Sequence, residues 1–379
     1  MISFLNKKNR VVSVYTRDGF VGSSSYYRIW QYFSKMQNVK IQRRIFIPTW
    51  LTCAQYNTIH STVKGKLIRV IYHFFVSCAA TFFFAKDSLF VPDCVVLLRS
   101  VTPKSFFFPI NLLYEFMLLR TRLVIWDVDD DIVASEEITQ GEKELIEKYA
   151  DTIVLTHEGL LKILQKQNRK KAIFACTTDG DFECDDWSAL ERDRVRLYEK
   201  EFRVLWLTSS AGFVDIKKIE TVLDSAAITI KKNTGKQMVL VVVCNKPYLK
   251  NFKELKVENH LWNRQSALSY LKTSHVGIMP LKKTRFALGK GSFKVIQYYS
   301  ASLPVIASKV GFNCRVVENE CTGFLIEDDV SLTEWIKAFE MLARSEKMLI
   351  SMGRNAREAW LSKYSYCKNF NQWVELVNG

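Results

Sequence analysis

Residues 289–308 read GKGSFKVIQYYSASLPVIAS, and this stretch decides the fold prediction. The pattern predicts a glycine-containing loop, a helix that begins near Phe293, a connection closed by Pro304, and a short buried strand over residues 305–307. Ser292 stands directly before the helix, where a serine side chain commonly caps the first turn. A loop, a helix and an apolar strand in this order indicate one repeat of an α/β fold.

The same stretch has the features of an anion site. Gly289 and Gly291 let a ligand approach the backbone closely. The N-terminus of the following helix offers N–H groups and the positive end of the helix dipole, both suited to a phosphate. Lys294 adds a mobile cation for a diphosphate. The spacing is neither that of GxxxxGK[ST] nor that of GxGxxG, so no Walker A loop and no dinucleotide fingerprint is predicted.

Strands and helices alternate on both sides of this stretch, which predicts an α/β protein with doubly wound parallel sheets. At 379 residues the chain is long enough for two domains. Apolar runs predict strands at residues 10–15, 93–99, 123–126, 152–155, 202–207, 238–244 and 275–279. Helical spacing predicts helices at residues 24–36, 112–120, 142–150, 158–167, 216–227, 268–272, 331–344 and 346–361.

An ordered set of short motifs in the C-terminal half resembles the donor-binding half of a retaining GT-B glycosyltransferase, and is most similar to family 4 (the group 1 transferases). The motifs are VGIMPL at 276–281, GKGSFK at 289–294, QY at 297–298, PVIAS at 304–308, TGFLI at 322–326, MGRNA at 352–356 and YS at 364–365. The resemblance implies a GT-B fold, in which two Rossmann-like domains face each other across a cleft and the C-terminal helix returns to the first domain.

The chain is divided accordingly into four parts. Residues 1–176 are expected to form an N-terminal, acceptor-binding domain, and residues 202–360 a C-terminal domain that binds a nucleotide-sugar donor. Residues 177–201 are polar and acidic and are interpreted as the linker. Residues 361–379 are expected to form the helix that packs back on the first domain.

The resemblance assigns the donor to two loops of the second domain. One follows the strand at 202–207 and contains Thr208, Ser209 and Ser210, whose backbone N–H groups could bind the diphosphate. The other wall is predicted from Gly289, Lys290, Gly291, Ser292, Phe293, Lys294 and Gln297. The family signature is Glu-x7-Glu, and the aligned positions here hold Gly289 and Gln297, which is a departure. Gln297 can still hydrogen-bond a ribose, whereas Lys290 or backbone groups must contact the sugar.

The acceptor side is predicted at the ends of strands in the first domain, where doubly wound sheets bind ligands. The candidate residues are Gly22, Ser23, Ser24, Arg28, Arg99, Asp127, Asp129 and Asp130. Alternatives stay open for each group. Arg28 could be solvated beside an ordinary helix cap, and Arg99 could form a structural ion pair. The carboxylates could bind a divalent cation, bind acceptor hydroxyls, include a base, or cap a helix. A DxD motif also binds metal in GT-A transferases.

The predicted activity is transfer of a sugar from a nucleotide sugar to a glycan acceptor with retention of configuration, in surface polysaccharide or lipopolysaccharide assembly. Lys294, Asp127 and Asp129 are the predicted catalytic residues, with Lys294 stabilising the leaving diphosphate. The resemblance implies that the diphosphate itself takes the acceptor proton, so no cofactor and no metal is expected. A nucleotide-sugar epimerase of the same fold and a non-catalytic scaffold that binds a nucleotide sugar are the alternatives.

Charge and hydropathy point to a membrane surface. Residues 1–122 hold 17 Lys and Arg against four Asp and Glu, and carry most of the net charge of +15. No nucleic-acid motif accompanies this excess, so an anionic membrane is favoured over nucleic acid, with a solvated basic face as the alternative. Residues 67–84 are apolar with basic flanks, which indicates a buried or interfacial helix. A second aromatic and basic stretch spans residues 103–122. A lipid-linked acceptor is inferred from this.

The remaining composition favours a cytoplasmic protein. Nine cysteines are scattered without a CxxC or a Cys/His cluster, which indicates reduced thiols and no structural zinc. The first twenty residues lack the uninterrupted apolar core of a signal peptide, so none is predicted. The expected location is the cytoplasm, either free or attached to the inner face of the cell membrane.

Overall fold

The computed structural model describes residues 10–58, 62–102, 108–183, 187–327 and 332–379. The chain forms two compact units. The first contains residues up to Thr177 together with Asn369–Gly379, and the second is Thr178–Lys368. Most of the segment interpreted as a linker, 178–201, belongs to the second unit. Part of the aromatic stretch at 103–122 and part of the acidic segment lie outside the described residues.

The first unit is built on a six-stranded sheet in which every neighbouring pair is parallel, in the order β2-β1-β3-β4-β5-β6. The strands are β1 (Arg10–Thr16), β2 (Val39–Ile45), β3 (Cys94–Leu98), β4 (Val124–Val128), β5 (Thr152–Leu155) and β6 (Ala172–Phe174). Every residue of β3 and β4 is buried, as expected for central strands covered on both faces. The chain order along the sheet reverses between β1 and β3, which makes this the switch point of the first unit.

In the described part of the chain, six helices belong to this unit, together with part of a further one. They are α1 (Ser23–Ser25), α2 (Gln31–Phe33), α3 (Thr49–Asn57), α4 (Val63–Leu89), α5 (Phe108–Arg120) and α6 (Gln140–Tyr149). A π turn, Tyr26–Trp30, joins α1 to α2 without a break. The helix predicted at 158–167 is wrong, because the chain forms two 3-10 turns there, Glu158–Ile163 and Lys166–Lys171, separated by extended residues.

The second unit has its own six-stranded sheet, again parallel between all neighbours, in the order β12-β11-β10-β7-β8-β9. The strands are β7 (Glu201–Leu207), β8 (Gln237–Cys244), β9 (Lys256–Leu261), β10 (Val276–Met279), β11 (Val305–Ser308) and β12 (Gly323–Ile326). Read from β9, the sequence order is 3-2-1-4-5-6, which is the Rossmann arrangement, and the switch point lies between β7 and β10.

Helices alternate with these strands. They are α7 (Trp187–Tyr198), α8 (Phe213–Ile216), α9 (Glu220–Thr234), α10 (Arg264–Thr273), α11 (Arg285–Leu288), α12 (Phe293–Ser300), α13 (Asn313–Val316), α14 (Leu332–Arg344) and α15 (Glu346–Ala359). The loop, helix and strand predicted from residues 289–308 are present as α12 and β11, with the helix beginning at Phe293.

The last helix, α16 (Tyr366–Asn378), contributes its residues from Asn369 onward to the first unit. Within that unit, the Asn369 amide donates to the carbonyl of Cys176 at 2.6 Å. The Trp373 ring packs edge-on against Phe33, with 5.2 Å between ring centroids. Two doubly wound units and a returning C-terminal helix confirm the α/β fold class expected from the sequence.

Candidate functional site

A tyrosine hydroxyl bridges the two strands at the switch point of the second unit. β7 and β10 are paired at Val204–Val276 and Leu205–Gly277. Beyond these pairs, the Tyr298 hydroxyl of α12 accepts from the Leu207 N–H at 3.0 Å and donates to the Ile278 carbonyl at 3.2 Å. Tyr298 therefore supports the start of the loop that follows β7, which is where ligands of this fold class bind.

Gly277 makes this bridge possible. A Cβ added at Gly277 would lie 2.3 Å from two atoms of the Tyr298 ring, a distance that carbon atoms do not tolerate. The ring therefore lies directly on the backbone of β10. Any residue other than glycine at position 277 would keep α12 farther from the sheet. The glycine of the VGIMP motif is thus explained by the packing of α12 on β10.

The loop before α12 does not use the predicted cap. Ser292 adopts a left-handed conformation, with φ of 51° and ψ of 28°, and its side chain makes no capping hydrogen bond. Its hydroxyl instead lies 2.7 Å from the Asn313 side-chain oxygen, and the Asn313 amide donates to the Ser308 carbonyl at 3.0 Å. A positive φ is unfavourable for serine. The buried bond to Asn313 holds the loop in this shape, and the serine cap predicted from sequence is wrong.

Lys294 is held by a buried chain of side chains. Its ammonium group donates to the Gln297 oxygen at 3.2 Å, and the Gln297 amide donates to Asp179 at 2.7 Å. Gln297 and Asp179 are fully buried, whereas Lys294 is half-buried. Each end of the Gln297 amide makes a hydrogen bond inside the protein, and its predicted contact with a ribose stays a prediction. Gln297 positions the ammonium group of Lys294.

The pKa values of Lys294 and Asp179 are both shifted toward neutral pH. Removal from water lowers the pKa of Lys294 to about 8, although the Asp179 carboxyl opposes the shift. Burial, with a smaller effect from the neighbouring Asp181, raises the pKa of Asp179 to about 7. Asp181 itself is paired with Arg264. The arrangement places a cation that is easily neutralised close to an acid that is easily protonated.

The loop after β7 uses several of its N–H groups internally. The N–H of Thr208 bonds to the Val243 carbonyl at 3.1 Å, and that of Ser210 to the Asn245 side-chain oxygen at 2.8 Å. The Gly212 N–H donates to the Ser209 carbonyl at 2.8 Å. The predicted capture of a diphosphate by the N–H groups of Thr208 and Ser210 would therefore require this loop to rearrange.

The rest of the predicted donor wall lies around α11 and the start of α12. Gly289 and Lys290 end α11 with turn hydrogen bonds to Phe286 and Ala287, respectively. The Lys290 ammonium group lies 3.8 Å from the Asp215 carboxylate. Gly291 is buried and Phe293 is half-buried. The structure brings these residues together with Lys294 along residues 289–294.

In the first unit, the predicted acceptor residues meet at the carboxyl ends of β3 and β4. Arg28, which lies in the π turn, forms a buried two-point ion pair with Asp127 and donates to the Ala175 carbonyl. The side chain of Asp127 has no exposed surface. In this arrangement the carboxylate is turned toward Arg28 rather than toward solvent, and its catalytic role stays a prediction. A π turn at such a place is typical of functional sites.

Arg99 holds the other carboxylates. It pairs with Asp129, with Asp130 at 2.7 Å and with Glu137 at 3.0 Å, and about a fifth of its side chain is exposed. Arg99 has a φ of 55°, and its carbonyl accepts from the Trp126 indole at 2.8 Å. Burial alone would raise the pKa of Asp129, but Arg99 and Arg28 outweigh it and hold that pKa below its usual range.

The serine loop adjoins this network. Ser24 contributes to the lowered pKa of Asp129, and Ser23 is exposed. A Cβ added at Gly22 would lie 2.6 Å from the Cβ of Asp18. The carboxylates of residues 127–131 are thus engaged by cations rather than turned toward one another. In the parts of the chain that the structure describes, no group of three or more His, Cys, Asp or Glu is placed to hold a metal ion.

Sequence reasoning missed Asp179, Asn313 and the bridging role of Tyr298. Asp179 lies in the acidic segment that was interpreted as a linker, and nothing local distinguishes it from its neighbours. Tyr298 could have been found, because an aromatic residue one position after Gln297 falls on the sheet-facing side of the helix. Its partner Gly277 carries no signal until the close packing is seen.

The two Rossmann-like units, with a glycine-containing loop and helix at the second switch point, define the GT-B class of folds. Solved structures of that class are similar along nearly the whole chain. HepE of Anabaena in complex with UDP-glucose has a TM-score of 0.60 at 10% identity, with coverage of 97% of this chain and 99% of that chain. Sucrose-phosphate synthase of Thermosynechococcus elongatus has a TM-score of 0.59 at 13% identity, with coverage of 97% and 98%.

A third structure, a mutant of S. aureus TarM in complex with Fondaparinux, alpha-GlcNAc-glycerol and UDP, has a TM-score of 0.53 at 12% identity. The similarity covers 79% of this chain and 58% of the TarM chain, so this chain spans less than two thirds of the length of TarM. No curated protein matches the sequence.

Residues 193–359 match the family model of the glycosyl transferases group 1. The matched segment is less than half of the chain, and it contains α12, Lys294 and the switch point between β7 and β10.

Proposed function

We propose that the protein transfers a sugar from a nucleotide-sugar donor to a glycan acceptor with retention of the anomeric configuration, without a metal or other cofactor. The observation that carries this proposal is Lys294, held by Gln297 and Asp179 at the start of α12 in the group 1 domain. A cation beside the N-terminus of a helix suits the diphosphate of a donor. HepE, whose fold is similar, was solved with UDP-glucose.

In the proposed reaction, an acceptor hydroxyl oxygen forms a bond to the anomeric carbon while the bond from that carbon to the diphosphate oxygen breaks. The acceptor proton passes to the departing diphosphate, so no protein carboxylate is needed as base. Lys294 stabilises the charge that develops on the leaving group. The burial of Asp127 in its ion pair with Arg28 supports a reaction that needs no carboxylate base.

We further propose that the acceptor is lipid-linked and belongs to surface polysaccharide or lipopolysaccharide assembly, at the cytoplasmic face of the membrane. The basic first 122 residues and the exposed apolar helix α4 support this. In the first unit, the partly exposed Arg99 with Asp129 and Asp130, next to the exposed Ser23, offers donors and acceptors for sugar hydroxyls.

The test is thermal unfolding against UDP-, GDP-, ADP- and dTDP-sugars, with and without EDTA. A donor at about 100 times its dissociation constant stabilises the protein by about 2.7 kcal/mol. We expect one nucleotide class to do so in the presence of EDTA, and Lys294→Ala to lose the effect. Lys347→Ala, an exposed lysine on α15, is the matched control and should keep it. Stabilisation that survives Lys294→Ala would contradict the assignment.

The two alternatives have distinct results. Turnover of the donor without any acceptor would indicate the epimerase, and donor binding without turnover on any acceptor would indicate the scaffold. For a transferase, the anomeric coupling constant of the product, measured by NMR, distinguishes retention from inversion.

A further inference from the structure

The long helix α4 of the first unit exposes an apolar stripe. The stripe consists of Val63, Leu67, Val70, Phe74, Phe82 and Leu89, each at least 59% exposed. Successive positions are three, four, seven or eight residues apart and therefore lie along one side of the helix. The outward face of a helix on a globular protein is normally polar, so a continuous apolar stripe indicates a partner that the described chain does not supply.

The opposite face of α4 accounts for its attachment to the protein. Val76, Ala80 and Phe84 are fully buried in the core of the unit, and the Phe84 ring stacks on Tyr114 of α5 with 4.4 Å between centroids. Core packing therefore explains one side of the helix and leaves the stripe unexplained. Because both faces are apolar, the helix is long and apolar enough to cross a membrane, although length and composition alone are weak evidence of a span.

The adjoining helix α5 has an exposed apolar stripe of its own. Leu112, Phe116 and Leu119 are 55%, 46% and 63% exposed, at the i, i+4 and i+7 spacing of one helix face. We call the exposed stripes of α4 and α5 together the apolar docking surface. Trp50 of α3, 59% exposed, lies edge-on to Phe75 of α4 at 6.1 Å and adds a ring suited to a membrane interface.

The exposed charges of α4 are of one sign, and the one acidic residue of α5, Glu115, is paired with Lys148. Lys64, Lys66, Arg69 and Lys86 of α4 are exposed, whereas the one acidic residue of α4, Asp87, is buried and paired with Arg44. Lys86 lies over the Phe82 ring at 5.9 Å, and Arg120 of α5 over the Phe116 ring at 5.3 Å. Aromatic rings with cations beside them match the acyl and headgroup layers of an anionic bilayer, whereas a second copy would bring like charges together.

We propose that the apolar docking surface binds the surface of an anionic lipid bilayer, with α4 lying in the plane of the interface. A spanning orientation is disfavoured by a buried network. The Tyr15 hydroxyl donates to Asp87 at 2.6 Å, and Arg44 donates to the same carboxylate at 3.0 Å. Insertion of α4 across a bilayer would break these bonds and expose the core of the unit. This inference rests on the membrane location in the proposed function and names the surface responsible, but it does not depend on glycosyl transfer.

The experiment is co-sedimentation of the full chain with vesicles of phosphatidylcholine, alone or mixed with phosphatidylglycerol. We expect binding to the anionic vesicles, weakened at 1 M salt, where the screening length falls to about 3 Å. The double variant Phe74→Ser with Phe82→Ser should bind at least about tenfold more weakly, because two exposed aromatic side chains no longer enter the interface. Leu249→Ser with Leu261→Ser, two exposed residues of the second unit, should bind as the wild type.

Two double variants that reverse lysine charges test the electrostatic contribution to vesicle binding. Lys64→Glu with Lys66→Glu should abolish binding, whereas Lys166→Glu with Lys170→Glu, the same charge change on another exposed segment of the first unit, should retain most of it. Unchanged thermal midpoints establish that the variants are folded.

Four results would overturn the proposal. They are no binding to anionic vesicles at low salt, equal loss in the test and control variants, a lipid-free dimer that dissociates when Phe74 and Phe82 are changed, and protein that stays in membranes after an alkaline carbonate wash. Loss of the nucleotide-sugar effect with vesicle binding intact would instead count against the proposed function alone.

Discussion

Replacing Tyr298 with phenylalanine tests the bridge at the switch point of the second unit. The ring and its packing on Gly277 stay, and only the hydroxyl is lost. The change leaves the Leu207 N–H and the Ile278 carbonyl without this partner, and both residues are buried. An unsatisfied buried polar group costs about 1–3 kcal/mol, so we expect the free energy of unfolding to fall by about 2–4 kcal/mol.

The assay is thermal and urea unfolding of the full chain, read for the transition of the second unit. For a unit of this size, each kcal/mol lowers the midpoint by about 2–4 °C, which gives a drop of about 4–16 °C. Tyr270→Phe is the matched control. Its hydroxyl bonds His260 at 2.8 Å in a partly exposed place where water can substitute, so its loss should cost less than about 1 kcal/mol. Equal stability of the two variants would refute the bridging role of Tyr298.

Three further changes follow from the same contacts. Gly277→Ala places a Cβ 2.3 Å from the Tyr298 ring and should lower the free energy of unfolding by about 3 kcal/mol or prevent folding. Gly141→Ala is the control, because its Cβ meets nothing within 4 Å and the change should be neutral. Similar urea midpoints for the two variants would contradict the close packing at Gly277. Arg28→Lys breaks the two-point buried pair with Asp127 and should lower the free energy of unfolding in urea by about 2–4 kcal/mol. Arg354→Lys, in an exposed pair, should lower it by less than about 1 kcal/mol. Equal losses would show that the buried pair adds no stability. Burial raises the pKa of Asp179 to about 7 in the folded protein, so the free energy of unfolding falls as pH rises from about 4 through 7. Asp179→Asn tests this: between pH 5 and 8 the wild type should lose about 2–3 kcal/mol relative to the variant. Parallel pH profiles of the two proteins would count against the raised pKa.

The alternation of elements and the decisive helix could be predicted because their signals are local. The central strands are continuous apolar runs, and the start of α12 follows a glycine loop. The edge strands β2 and β9 were not predicted, because their half-exposed sequences, VKIQRRI and KVENHL, interleave charged and polar residues with apolar ones. Such strands owe their state to pairing with a neighbour rather than to their own hydrophobicity.

The candidate site was predictable in composition but not in its internal pairing. The sequence places Arg28, Arg99 and the carboxylates at strand ends, and the structure brings them together. Which cation meets which carboxylate depends on rotamers and on the register between distant segments. Gln297 illustrates the limit. Its position in the motif predicts a ligand contact. In the structure its amide donates a hydrogen bond to Asp179, which lies 118 residues earlier in the chain.

The half-buried Lys294 and the buried Asp179 have a consequence for the heat of binding under the proposed function. At pH 8 a substantial fraction of both groups lacks a proton, because their pKa values are about 8 and about 7. The negative charge of a diphosphate beside them would raise both pKa values, so each binding event would draw protons from solution. The calorimetric enthalpy should then change with the ionisation enthalpy of the buffer. The slope of that dependence would count the protons taken up at this one helix terminus.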